Sequence, residues 1–334
     1  MAVIRRNVLN SPHAQRFADG AIRLAGRSSQ VTPNQLNGSS IVQQAPGARI
    51  FGTAAELARA LSWWDLFTWW HVAAMTWPTP GGGNRAHGGP VFAPWHRLYL
   101  RRLEQAIQSV TGDATFGLPY WDWSTDGQLA PAAQLSAPIW SRVGPPQGPI
   151  TTGPFGALRI RLLANPADNR IYVVPARPIS RAAGQQSPRL PDLTDQRAAL
   201  LDGTFDRASW DRSADSFRNK LEGWQDPREA VPPRQSPWMH NRVHVFVGGS
   251  MLPGSSPNDP VFFLNHCNVD RIWEGWLTQR GRTYVPGAGQ GPPGHRINDP
   301  LLSIAWPSMT AAQVLDPAGA TLDWYRYDSL PTPN

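Results

Sequence analysis

The apolar positions of residues 54–76, AAELARALSWWDLFTWWHVAAMT, recur at helical spacing. Leu57, Leu61, Trp64, Thr68 and His71 fall on one stripe, which predicts a single helix across the segment. WPTPGGGNRAHGGP then breaks regular structure and predicts a loop. Pro94 is placed as an early residue of a second helix, where its missing N–H is tolerated. The stripe of that helix is His96, Leu100, Leu103, Ile107 and Val110. SADSFRNKLEGW (213–224) reads as a short helix with a Ser or Asp cap. WMHNRVHVFV (238–247) reads as a helix leading into a Gly-Gly turn. In SPNDPVFFLNHCNVDRIWEGWLTQR (256–280), Asn or Asp followed by Pro signals a helix start, and the stripe is Phe262, His266, Val269 and Trp273.

The connecting segments carry a different pattern. GLPYWDWS predicts a rigid turn. Residues 127–205 are rich in Pro, Gly and Ala with only short apolar runs such as RIYVV, so long loops with little regular structure are expected there. Residues 225–237 form a second Pro-rich loop. No internal repeat or linker stands out. The pattern predicts one mainly α domain over residues 1–334, a four-helix bundle core with long irregular loops.

Composition narrows this picture. Of 334 residues, 41% are hydrophobic and 16% charged, which suits a globular chain. No run of eighteen apolar residues exists, so no membrane partner is expected. The start, MAVIRRNVLNSPHAQRF, has two arginines but no apolar stretch behind them. It reads as mature sequence without its own signal peptide, which predicts a cytoplasmic protein or one exported only with a partner carrying the signal. Cys267 is the one cysteine, so no intramolecular disulfide and no cysteine-based zinc or iron–sulfur site can form. The net charge of +7 comes from scattered arginines, Lys220 being the sole lysine. Such scatter lacks the clustered footprint of a nucleic-acid binder, so no nucleic-acid partner is expected. An acidic small molecule or partner stays open.

The chemistry lies in eight histidines. A lone buried histidine is ordinarily a hydrogen-bonded core residue. Four helices that each aim histidine inward are instead the way a bundle builds a metal site. His240 and His244 have the i, i+4 spacing that lets two imidazoles share an ion. Zinc proteases with this spacing need Glu directly after the first histidine, and here that residue is Asn241. Di-iron bundles need inward Glu-x-x-His pairs, which are missing near these histidines. An all-imidazole set suits copper. Six histidines split into His71, His87, His96 and His240, His244, His266. His13 and His295 sit in polar or Pro/Gly-rich surroundings and are left out. Tryptophans gather near the histidines (Trp69, Trp70, Trp95, Trp238) and could build a dry, rigid wall.

RAHGGPVFAPWHRLYLRRLEQAI, LPYWDWS, FRNKLEGW, HNRVHVFVGG and SPNDPVFFLNHCNVDRIW resemble the tyrosinase family of coupled binuclear copper proteins. They are most similar to bacterial members and to o-aminophenol oxidases, in family order across about residues 60–280. The resemblance implies two copper ions as cofactors. His71, His87 and His96 would hold copper A, and His240, His244 and His266 copper B, with O2 as co-substrate. It implies a tyrosinase, a phenol oxidase that ortho-hydroxylates monophenols and oxidises o-diphenols to o-quinones. Catechol oxidase and o-aminophenol oxidase are alternatives on the same site, and a hemocyanin-like O2 carrier is a remote one. Phenolic or aminophenolic substrates follow. By the same resemblance Glu222 and Asn241 would hold a water that deprotonates the phenol, with Glu229 a competitor for that place. Val245 stands where some relatives carry a basic residue, and Pro253 and Gly254 are expected at the substrate mouth. Arg85 stands where a cysteine would form the Cys-His thioether of fungal and plant relatives, so no thioether is expected. Cys267 reads as a packing thiol, and Asp259 and Asp270 as capping and packing residues. Tyr325 and Tyr327 resemble the tyrosines that close the core domain. No C-terminal shielding domain is expected after them, leaving the site open or covered by a separate caddie protein that delivers copper.

Overall fold

The computed structural model describes residues 2–165, 168, 170–226 and 237–333. The core is helical. The Phe92–Thr111 and Val261–Arg280 helices pack on each other, and Met239–Val247 packs on the latter. Trp63–Thr76 completes the set of four histidine-bearing helices. Trp64, Trp70, Trp95, Trp238 and Trp273 are buried in one continuous apolar cluster with Phe67, Leu100, Leu103 and Ile107. Each such side chain contributes about 1.5–3 kcal/mol on leaving water. The burial is near-total around Val261–Arg280, whose residues are buried from Val261 through Leu277.

The first predicted helix is two. Ala54–Ala58 ends before Trp63–Thr76 begins. The break is local chemistry: Ser62 and Asp65 form a capping box that starts a new helix. Residues just before it run extended, with Leu61 N–H donating to Val31 O and Ser29 N–H to Leu61 O. The 213–224 segment is helical only over Phe217–Glu222, capped by Ser216.

The 127–205 stretch is more ordered than its composition predicts. Ile160–Ala164 pairs antiparallel with Ile171–Arg177, and Ile50–Phe51 joins the same sheet in parallel. Gln147–Pro149 pairs with Ser180–Ala182. Leu193–Leu200 is a helix with an Asp192–Asp195 capping box. Ile160, Leu162 and Ala164 alternate inward, a period-2 signal short enough to be hidden among prolines.

A charged clamp joins the ends of the described chain to the core. Val3–Arg5 pairs in parallel with Tyr325–Tyr327. Asp270 receives Arg97 Nε at 2.6 Å, Arg5 Nη1 at 3.3 Å and the hydroxyls of Tyr325 and Tyr327 at 2.6 Å each. Arg5 also meets Glu104 at 2.9 Å, and Arg97 meets Glu274 at 2.9 Å. The charged groups are buried, so each charge depends on its partners, and the two arginines hold Asp270 below the usual carboxylate range against the opposing effect of burial. Asp259 is likewise structural, pairing with Arg181 at 2.7 Å and accepting from Val261 N–H. Cys267 Sγ donates to Leu118 O at 3.4 Å, and burial pushes the thiol up to about 12, which suits a packing residue.

Candidate metal centre

Two groups of three histidines converge at the centre of these helices. In each of the sets His71–His87–His96 and His240–His244–His266, the nearest ring nitrogens lie within 4.8 Å of one another. The two sets adjoin: the His96 and His266 rings stack at 4.1 Å, and His87 and His240 stand 6.1 Å apart.

Backbone carbonyls decide the tautomers. His71 Nδ1 faces Gly254 O at 2.8 Å, and His96 Nδ1 faces Phe92 O at 2.7 Å. His244 Nδ1 faces Met251 O at 2.7 Å, and His240 Nδ1 faces Glu222 O at 3.1 Å. A carbonyl can only accept, so each Nδ1 carries the proton and each Nε2 keeps a lone pair. Nε2 of His71, His96 and His244 is buried without a partner among the described residues. Nε2 of His240 and His266 approach each other at 3.0 Å, a contact that a cation or a shared proton relieves. Burial lowers the imidazoles, His71 to about 3 and His244 to about 4, though the His244 ring is partly exposed towards a cavity. Neutral rings with bare, converging lone pairs are the donor set that a late first-row metal needs, and six of them without thiolate or carboxylate fit two copper ions.

Local structure explains the placement. His71 and His96 come from long helices. His87 comes from the loop between them, where Asn84 Oδ1 accepts from the N–H groups of Ala86 and His87 at 3.0 and 2.7 Å. Phe92 and Phe262 wall the centre, with Phe262 4.2 Å from His266 and 4.9 Å from His71. Of the four tryptophans predicted to do this, Trp95 touches His96 and His71, while Trp69 turns to Ala48 O.

Glu222 and Asn241 meet at His240. Nδ1–H of His240 is shared between Glu222 O and Asn241 Oδ1, the latter at 3.0 Å. The Glu222 carboxylate is fully buried, accepting from Gly88 N–H at 2.7 Å and pairing with Arg218 at 3.3 Å. Burial raises its pKa, while Arg218 and the Gly88 N–H oppose the rise. Gly223 ends this helix at φ +99°, and a Cβ there would strike Trp238 O, so the close approach that brings Glu222 to His240 needs glycine. Glu229 lies outside the described residues, as does most of the 225–237 loop.

A cavity of about 310 Å³ opens onto the centre, lined by His71, His87, His240, His244 and Asn241 among others. Val245 and Pro253 are also among its lining residues. Gly254 follows Pro253, and its carbonyl orients His71. His295, left out of the ligand set for its polar or Pro/Gly-rich surroundings, is buried: Val91 N–H reaches its Nδ1 at 3.5 Å, and its Nε2 lies 3.0 Å from Thr79 Oγ1. Asn84, Arg212 and His295 are site residues that the sequence reading missed. Only Asn84 had a signal, an Asx-type turn residue shortly before His87.

A helical core with paired three-histidine sets defines a binuclear metal protein whose ligands are all imidazole. Residues 61–279 match the family described as the common central domain of tyrosinase. Tyrosinase from Streptomyces lincolnensis is 37% identical over 243 residues, covering 70% of this chain and 80% of that protein. Tyrosinase from Streptomyces glaucescens is 36% identical, covering 80% and 90%. Grixazone synthase from Streptomyces griseus is 35% identical, covering 70% and 80%. A polyphenol oxidase structure from Thermothelomyces thermophila shares the fold at a TM-score of 0.63 and 20% identity, covering 97% of this chain and 88% of that one. The chain belongs to the tyrosinase family. It is a copper phenol oxidase with O2 as co-substrate.

Proposed function

We propose that this chain hydroxylates monophenols at the ortho position and oxidises the resulting o-diphenols to o-quinones. The reading is supported by one observation beyond family membership: the Glu222 backbone carbonyl and the Asn241 side chain both meet His240 Nδ1, and Asn241 lines the cavity. Copper, when bound, supplies the activation of O2 and accepts the electrons. The protein supplies the rest. Neutral imidazoles hold the ions without cancelling their charge. Phe92 and Phe262 keep water from the back of the centre. The half-buried Asn241 amide and the Glu222 carboxylate order a water that takes the phenol proton, Asn241 from the cavity lining and Glu222 from behind it. Gly88 N–H, Arg218 and Trp224 engage the carboxylate, but an ionised carboxylate has about four acceptor positions, so capacity remains. Its raised pKa makes it a stronger base than an exposed glutamate. Val245 and Pro253 supply apolar surface for the ring.

Copper reconstitution followed by parallel assays on a monophenol, an o-diphenol and an o-aminophenol tests this reading. Expected is turnover of the first two, with Glu222→Gln lowering the monophenol rate relative to the diphenol rate by about 100-fold, the scale of lost acid–base assistance. An unchanged ratio in Glu222→Gln moves the proton acceptor elsewhere. Turnover of the diphenol alone makes the protein a catechol oxidase, and preference for the aminophenol selects the third activity. Copper delivery by a separate caddie protein rests on likeness to Streptomyces relatives, and spontaneous copper uptake by the purified chain would remove the need for it. No described helix is long and apolar enough to cross a membrane.

A further inference from the structure

Among the described residues lining the cavity, Arg212 is the one with a permanent charge. The remaining lining is imidazole, amide, hydroxyl, tryptophan and aliphatic surface. The buried Glu222 carboxylate lies behind this lining, engaged by Gly88 N–H and Arg218, and it also feels the charge of Arg212. Asp211, beside Arg212 in the chain, is occupied by the hydroxyls of Ser209 and Ser213 and by the Ser213 N–H.

Arg212 is exposed, yet its head group is held on two sides. The guanidinium carbon lies 4.0 Å from the centre of the Trp224 ring. On another side is Gly88, where φ is +71° and a Cβ would stand 3.2 Å from Arg212 Nε. Gly88 directly follows His87, so this arginine sits against the backbone beside a metal histidine. Among the described residues no carboxylate lies within ion-pair distance of the guanidinium, and no described side chain takes its hydrogen-bonding edge. A guanidinium stacked on tryptophan keeps its planar donors available, and its geometry matches a carboxylate in two-point fashion. Because the stack already restricts the side chain, a ligand has less ordering entropy to overcome.

We propose that Arg212 is a specificity residue that recruits phenols and diphenols carrying a carboxylate on the ring substituent and disfavours those carrying an ammonium group. This rests on the phenol oxidase reading above and names its substrate class. The phenol end enters towards the histidines, and the acidic tail stays at the mouth, where Arg212 meets it. Val245 leaves its edge of the cavity apolar, so the charge that selects the tail comes from a different segment of the chain.

Three o-diphenols of differing charge test this: dihydrocaffeate (anionic), methylcatechol (neutral) and dopamine (cationic). Copper-loaded wild type, Arg212→Gln and Arg212→Glu are compared by kcat/KM. Wild type should favour dihydrocaffeate over dopamine. Arg212→Gln should lower that ratio by about 5- to 20-fold, between an exposed ion pair and a charged hydrogen bond, mainly through KM. Arg212→Glu should invert it, and added salt should erode the wild-type preference. A binding measurement needs no copper: calorimetry on the copper-free protein should show phenylpropionate binding more tightly than its uncharged amide, and Arg212→Gln should remove the difference. A dihydrocaffeate-to-dopamine ratio that is the same in all three proteins overturns the proposal, as does equal binding of carboxylate and amide by wild type. Methylcatechol separates the two readings. If copper-loaded wild type leaves it unoxidised, the phenol oxidase reading fails. If it is oxidised while the charge ratio ignores position 212, only the Arg212 assignment fails.

Discussion

The two histidine sets are built differently. His240, His244 and His266 all come from helices, and two of them are one turn apart on the same helix. Their spacing is a property of helical geometry. His71 and His96 share that advantage, but His87 rides on a loop and depends on contacts from elsewhere in the chain. Asn84 folds the turn, Glu222 grips Gly88, and His295 supports the loop through Thr79 and Val91. A helix encodes a ligand position locally, whereas a loop borrows its position from tertiary partners.

This contrast can be broken most severely at a helical ligand. His266→Ala should remove copper from the second set and lower diphenol oxidation by more than about 1,000-fold, since the metals carry the redox chemistry. Copper content per protein, measured alongside activity, should fall by about half, and full content with full activity would contradict the ligand assignment.

Asn84→Ala should sharpen the contrast. It removes two backbone hydrogen bonds from the turn before His87 while leaving every histidine in place. Copper affinity at the first set should drop by about 10- to 100-fold, the usual scale for lost support of a ligand. Stepwise chelation should then strip one ion well before the other. Simultaneous loss of both ions would show that the loop needs no such support.

The smallest effect concerns His295. Burial, with Arg218 and Arg85 adding to it, lowers this imidazole to about 3. Unfolded, it titrates near the ordinary histidine value, about 6.5. The unfolded chain therefore binds the extra proton between these values, so this group's contribution is intact above about 6.5 and is lost as pH falls towards 3. His295→Gln should flatten the acid side of the stability curve by at most about 1.4 kcal/mol per pH unit, read from urea midpoints of the copper-loaded proteins. An unchanged slope would place the proton elsewhere.

Much of the site is legible in the amino-acid sequence. Histidines on apolar stripes, Asn241 in the place of a protease glutamate, and the single cysteine pointed to an all-imidazole copper centre. These signals survive because a helix repeats every 3.6 residues whatever surrounds it. The helix break at Ser62 was also written locally, in the Ser62–Asp65 capping pair, though the apolar stripe masked it. The strands in 127–205 were hidden because their pairings join residues far apart, and short alternations among prolines carry little signal. His295 and Arg212 were invisible for the same reason: neither lies on a periodic face, and each acquires its surroundings from another segment.

The sequence by itself determined the donor chemistry, the helices that carry five of the six ligands, and the family. Those features depend on residue type and on spacing within one element. Only the tertiary structure decided which ring nitrogen of His71, His240 and His244 carries the proton, because the deciding carbonyls of Gly254, Glu222 and Met251 belong to other segments or turns. It also decided that Glu222 binds both halves of the centre and that Arg212 alone charges the described mouth. Hydrogen bonds and charge contacts act over a few ångströms of space, and folding sets those distances between residues that the chain keeps far apart.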